Sequence, residues 1–381
     1  MDFLKKQYFF SALAIILGLA MADAHIISQV VTAAIWGGEH SAAQESCQFE
    51  HFERKQNRKH EKHDLRREYK QLKKVVAGGV DVIELPGVQF EMAIKDGLIA
   101  SNGMANVKAD EKNFVPGAMR AEGVASVAHS MVIAYREAAS EGSHPTRVQD
   151  FWDTQRFPGK RGMVHGARYN LEFALMADGV AKDQVYSVLG TSAGVKRALN
   201  KIQQLKGHII WFNSEHGVME AMQRDHVGKG NPAYNPDAPT VTFGIVSSDS
   251  AYMENRNHKM HDQNGFKIKV VWTGHIMEFI YWGKSTNPKD GAMADAFLQQ
   301  VASSDSTCLP AFKRSALGLT HIDLRDKMSQ ELLEHMPTSE QNLHKGLVMD
   351  AKFWAENQTR LTKQFEQWFK SNGHSKAKAS Y

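Results

Sequence analysis

Apolar positions along this chain switch repeatedly between a period of two and a period near three and a half. The run Q-V-V-T-A-A-I-W at 29–36 is β-branched and ends in Gly37-Gly38, which predicts a strand that stops where the backbone turns sharply. A helix is expected over 42–52, with Phe49 and Phe52 on one face; its basic continuation, 54–74, reads as solvated helix and loop. Residues 80–85 (V-D-V-I-E-L) predict a strand closed by Pro86-Gly87, followed by a helix over 89–95 and a turn at Asp96-Gly97. The long apolar run 124–135 has little turn chemistry and is a candidate crossing between two lobes. Phe157-Pro158-Gly159-Lys160 is a tight turn, since proline presets φ and glycine takes a positive one. A short strand around 161–164 follows, then an amphipathic helix through Leu171, Ala174 and Leu175 that ends after Asp178. Turn, strand, loop and helix in that order present a helix N-terminus to a crevice.

The alternation continues with a helix over 194–205, a strand over 208–212 and a helix near 217–224. Residues 228–239 are a loop by composition. A strand over 240–246 leads to the polar turn Ser247-Ser248-Asp249-Ser250, a second candidate crossing, and to a helical start at 251–256. Two strands are expected over 266–272 and 276–282, and a helix over 288–303. Residues 347–369 predict a long helix whose Phe353, Trp354, Leu361, Phe365 and Trp368 recur at helical spacing, as core anchors do. The polar end, 371–381, is expected to be a flexible tail. Strands alternating with helices point to an α/β fold, and two crossings make it two-lobed with a hinged cleft between the lobes, a preferred place for a ligand. The expected division is 25–135 with 248–303 in one lobe and 136–247 with 304–370 in the other.

The N-terminus adds a targeting signal. Lys5 and Lys6 precede an apolar stretch at 8–20, and Ala22-Asp23-Ala24 offers a cleavage site, so 1–24 is expected to be a signal peptide. The stretch is short for a membrane span. A periplasmic location follows as the expectation. With 46 basic against 42 acidic residues, the net charge of +4 makes no case for nucleic acid; only 54–74 is locally basic. Cys47 and Cys308 fit neither a disulfide scaffold nor a metal quartet, and two stray thiols are slightly preferred to a single bridge.

No H-E-x-x-H or phosphate-loop pattern is present, and no acid/base constellation stands out, so neither catalysis nor a cofactor is expected. His60 and His63, three apart, would share a face of a helix, which leaves an exported metal-binding protein as an alternative. A binder of a cationic solute needs carboxylates and aromatic faces. The candidates are Trp36 with Gly37 and Gly38, Glu84, His129 and Ser130 in the long apolar run, Tyr169, Asp249, Tyr252 and Glu278. Trp36 leans towards the site, Asp249 is equally a helix cap or a ligand carboxylate, and Tyr252 and Trp272 lean towards the core. No metal ligands are assigned.

Several stretches, in order, resemble the extracellular solute-binding proteins of ABC importers, in particular their spermidine/putrescine-binding branch. They are Ile35-Trp36-Gly37-Gly38, Phe114-Val115-Pro116-Gly117-Ala118, Val132-Ile133-Ala134-Tyr135, Phe157-Pro158-Gly159-Lys160-Arg161, Asn287-Pro288-Lys289-Asp290 and Phe353-Trp354-Ala355-Glu356-Asn357. The resemblance implies a two-lobe periplasmic binding protein of mixed sheets flanked by helices. It implies a monomer that closes on a polyamine or similar small amine-bearing solute and delivers it to an inner-membrane ABC permease. A binding-inactive member of the family is a further alternative. Polyamine binders carry acidic residues in the loop before the second-lobe helix, where this chain reads His165-Gly166-Ala167-Arg168-Tyr169. They usually carry a tryptophan where this chain has Val246-Ser247. Asp249 matches the family's crossing-turn carboxylate.

Overall fold

The computed structural model describes residues 30–37, 45–139, 143–224, 239–260, 267–304 and 308–376. Its strands are β1 (Val30–Ile35), β2 (Lys59–Asp64), β3 (Val82–Pro86), β4 (Gly123–Arg136), β5 (Arg161–Val164), β6 (Ile209–Phe212), β7 (Phe243–Ser247), β8 (Ile268–Lys284), β9 (Gly318–Leu319) and β10 (Leu347–Val348). The helices are α1 (Glu50–Gln56), α2 (Leu72–Ala77), α3 (Gly87–Lys95), α4 (Asn170–Ala177), α5 (Val185–Leu189), α6 (Ser192–Gln203), α7 (Glu215–Gln223), α8 (Ser248–Met260), α9 (Gly291–Val301), α10 (Leu309–Ser315), α11 (Gln330–Leu333), α12 (Glu340–Leu343) and α13 (Ala351–Ser371).

The strands lie in the order β2-β1-β3-β8-β4-β7-β5-β6, with β9 beside β4 and β10 beside β8. Two parallel blocks, β2-β1-β3 and β7-β5-β6, are joined through the antiparallel pair β8 and β4. The apolar core divides along the same line. One cluster gathers Val31, Phe49, Phe52, Ile83, Val124, Ala128, Trp282 and Phe297; another gathers Met131, Ile133, Phe151, Leu171, Trp211, Trp354 and Phe365. So β4 enters the first lobe at Gly123 and leaves in the second at Arg136, and β8 makes the return. The α/β fold has two lobes, with β4 and β8 running through both. Val88 and Met92 of α3 pack with α13, a second connection between the lobes.

Several expectations change. The basic run holds a strand, β2, paired in parallel to β1. K-H-E-K-H-D has no apolar position, and as an edge strand it needs none: β1 satisfies its backbone while most of its side chains stay in water. On a strand His60 and His63 point to opposite faces, so their spacing no longer joins them. Among the described residues no three His, Cys, Asp or Glu side chains gather as metal ligands would. The two strands expected over 266–282 are one, because Gly274 takes a positive φ (78°) and absorbs the register shift opposite Met131–Ile133 without ending the strand.

Cys47 and Cys308 are a disulfide, not stray thiols, with Cα atoms 4.4 Å apart. The bond ties the turn before α1 to the start of α10, whose residues belong to a separate cluster with Leu319, Leu324, Leu332 and Met336. Within the expected tail, the His374 ring lies 4.8 Å from Trp368 and 5.9 Å from Trp211, and Lys376 bridges to Trp211. The expected signal peptide 1–24, Gly38, residues 228–238 of the expected loop and 377–381 lie outside the described residues. The expected turn at 247–250 is no separate loop either. Ser247 ends β7 and Ser248 begins α8, with the Ser247 hydroxyl accepting the Ser250 N–H.

Candidate functional site

Two strand ends face the seam between the lobes. In the first lobe, β3 ends at Pro86 and α3 begins directly; the Val88 N–H points at Glu278 Oε1, 3.4 Å away. In the second, β5 ends at Val164 and the loop 165–169 leads into α4. Asn170 fastens that loop by donating to the carbonyls of Val164 and Gly166, each at 2.8 Å. Tyr169, before α4, has φ 68° and ψ −47°, a region that L-residues rarely occupy and that surrounding structure must enforce. The consequence is that the Tyr169 hydroxyl is held against Glu278 Oε2 at 2.7 Å.

Glu278 is the hub. It is buried in the middle of β8, and its register partner on β4 is His129, whose Nε2 lies 3.5 Å from Oε2. The Arg168 guanidinium stands 4.0 Å from Oε1. Burial alone would raise the Glu278 pKa; the hydrogen bond from His129, the charges of Arg168 and His129 and the Tyr169 hydroxyl overcome it and bring it down to about 2. Burial likewise pulls His129 down, but Glu278, with Asp249 and Glu215 farther off, carries it above its ordinary value. Tyr169 is pushed well up by burial and by the Glu278 charge, so it remains a donor. The seam therefore holds a stable anion flanked by cationic and neutral donors.

Beside this cluster a cavity of about 310 Å³ opens between the loop 165–170 and α13, with Arg168, Tyr169, Trp354, Gln358 and Thr362 in its wall. Arg168 donates to Gln358 Oε1 at 3.0 Å and lies 5.9 Å above the Trp354 ring. The Trp354 indole N–H is fixed by Glu172 Oε1 at 2.5 Å. Burial raises the Glu172 pKa to about 7, so that carboxyl is only partly ionised near neutrality. The one full charge on the loop 165–169 in the cavity wall is positive, that of Arg168.

The structure brings together His129, Tyr169 and Glu278 from the sequence-derived set, with Asp249 close enough to act electrostatically on His129. Trp36 and Glu84 meet one another at the ends of β1 and β3: the Trp36 backbone N–H donates to the Glu84 carboxylate, whose pKa burial lifts to about 8. Glu84 is thus largely protonated at neutral pH and supplies no anion there. Gly37 turns with φ 84° against Asp64. Ser130 is engaged elsewhere, its hydroxyl 2.8 Å from His275 Nδ1, and His275 in turn is 3.0 Å from the Asn342 carbonyl. Tyr252 sits with the α10–α11 cluster, 5.1 Å from His335. Arg168, Gln358 and Thr362 were missing from the set. Trp354, Gln358 and Thr362 recur every four residues, the signature of one helical face, and a polar pair continuing a buried aromatic was the available signal.

The family model of the bacterial extracellular solute-binding proteins matches residues 70–313. The gamma-aminobutyric acid-binding protein of Pseudomonas aeruginosa is 31% identical over 355 residues, covering 92% of this chain and 94% of that one. Among solved structures, the periplasmic binding protein of A. tumefaciens B6 in complex with glucopine superposes with a TM-score of 0.68 at 20% identity, covering 89% of this chain and 99% of that one. The spermidine/putrescine ABC transporter substrate-binding protein of Streptococcus pneumoniae does so with a TM-score of 0.66 at 14% identity, covering 90% and 99%. One fold thus carries an amino acid, an opine and polyamine-type partners, and the fold alone does not select among them. The chain belongs to the bacterial extracellular solute-binding proteins.

Proposed function

We propose that this protein captures a small zwitterion, an ω-amino acid of the γ-aminobutyrate kind, in place of the polyamine that the resemblance implied. The observation that carries the reading is Arg168, a guanidinium in the wall of the second-lobe cavity beside the Glu278 cluster, on a loop without an acidic residue. A guanidinium fork matches a carboxylate and repels a polycation. The solute's ammonium would lie towards Glu278, the anionic end of the 4.0 Å pair, over the Tyr169 ring. The 31% identical relative that bears a γ-aminobutyrate-binding name supports the same class.

Capture needs no bond to be made or broken, so the protein works as a binder, not an enzyme: lobe closure about β4 and β8 traps the solute and presents it to the permease. Export by the signal peptide at 1–24, action in the periplasm and a monomeric state complete the reading. A thermal-shift panel of γ-aminobutyrate, amino acids, opines, putrescine, spermidine and divalent metals tests it, because a ligand that binds only the native state raises the midpoint with concentration. A rise with γ-aminobutyrate or a close homologue is expected. A rise with metals alone would sink it in favour of the metal-binding alternative, and silence throughout would favour a binding-inactive member.

A further inference from the structure

Residues 54–74 contain ten Lys or Arg against three Asp or Glu, a net +7 in a chain whose total is +4, so the rest of the chain is net −3. The fold gathers this run at one end of the sheet, in the last turn of α1, β2, the turn after it and α2. Among the described residues β2 pairs with β1 alone. Lys59, Lys62, Arg66, Arg67 and Lys74 are all exposed.

The turn after β2 has a second peculiarity. Arg66 and Arg67 take successive left-handed conformations, φ 49° and 59°, which a Cβ disfavours. The Arg66 N–H is held by Asp64 Oδ1 at 2.7 Å and the Arg67 N–H by the Trp36 carbonyl at 2.9 Å. The structure thus enforces a costly turn whose outward product is two adjacent guanidiniums.

An anionic occupant follows from the charge. Its kind follows from what the surface lacks: Val348, on β10, is the one exposed large hydrophobic residue among those described. A stable protein interface is built round an apolar, aromatic centre, and the basic edge has none. A plane of anionic head groups attracts lysines and arginines by charge alone. We infer that the β2 edge with the Arg66-Arg67 turn docks this protein on membranes rich in anionic phospholipid, holding it at the surface where its permease resides.

The test is co-sedimentation of the exported protein with phosphatidylglycerol/phosphatidylethanolamine vesicles and with phosphatidylcholine vesicles, at about 50 mM and about 500 mM salt. Binding is expected to the anionic vesicles at low salt only. Arg66→Gly with Arg67→Gly removes two charges where glycine suits the backbone, so folding is not at risk, and should weaken binding about 25-fold, at about fivefold per charge. Lys196→Gln with Lys352→Gln, exposed lysines on α6 and α13, should leave it unchanged. Equal binding to neutral vesicles, an unaltered Arg66/Arg67 variant or an equal loss in the control pair would overturn the inference. So would detergent-solubilised permease capturing the protein through Arg66 and Arg67 while anionic vesicles do not.

Discussion

Removing the Cys47–Cys308 bond should cost more than any single side chain. The two cysteines are 261 residues apart in sequence, and closing a loop of that size in the unfolded chain is worth about 5.6 kcal/mol in the chain-entropy account. Unfolding entropy near the midpoint is about 2.1 cal/mol/K per residue, hence about 0.8 kcal/mol/K for 381 residues. The quotient is a fall of about 7 °C in Tm for Cys47→Ser/Cys308→Ser, read by calorimetry under non-reducing conditions. Both cysteines are replaced so that no lone thiol remains. The parent protein in dithiothreitol should unfold where the double variant does. A difference below about 2 °C would refute the entropic reasoning. Two titratable thiols in the unreduced, denatured parent would refute the bond itself.

Arg161 is fully buried and donates to the carbonyls of Phe151, Phe157 and Gly159 at 2.9, 2.6 and 2.5 Å, so it braces the F-P-G-K-R segment from within. Arg161→Met strands those carbonyls and should lower the urea unfolding free energy by about 3–5 kcal/mol, with Arg161→Lys recovering only part. The Glu278 cluster sets a pH dependence with two limbs. Glu278, at about 2 folded against 4.5 ordinarily, contributes stability above about pH 4.5 that is lost as the pH falls towards 2. His129, raised in the fold, contributes below about pH 6.5 and loses its share as the pH rises through its folded value. Urea midpoints from pH 3 to 8 should therefore peak between about 4.5 and 6.5, and Glu278→Gln should flatten both limbs; a monotonic profile would contradict the assignment.

Much of the second lobe was legible because its segments obey local rules. The strand at 161–164 and the helix after it stand where the sequence puts them, although α4 is buried on every side and is not the amphipathic helix expected. β2 was not legible, since a strand at a sheet edge is made by its neighbour, β1, and shows no period of its own. β8 was split at Thr273-Gly274 because glycine reads as a stop, whereas a partner strand can turn it into a bulge. The disulfide depended on two segments 261 residues apart coming within 4.4 Å, which no local pattern reports. For the site, Glu278 and Tyr169 were found as types suited to a cation. What they do depends on distance: Tyr169 and His129 are spent on Glu278, Glu84 is largely neutral, and Arg168 becomes the charge in the cavity wall.

The measurement that bears most directly on solute capture is calorimetric titration of the parent protein and Arg168→Met with γ-aminobutyrate and with putrescine. If Arg168 clamps the solute's carboxylate, the parent binds γ-aminobutyrate and the variant loses about 10- to 150-fold, the worth of a charge-assisted hydrogen-bond pair of about 1.5–3 kcal/mol. Putrescine should bind the parent weakly. Tight putrescine binding with γ-aminobutyrate silent, and Arg168→Met equal to the parent or better, would contradict capture of a zwitterion through Arg168.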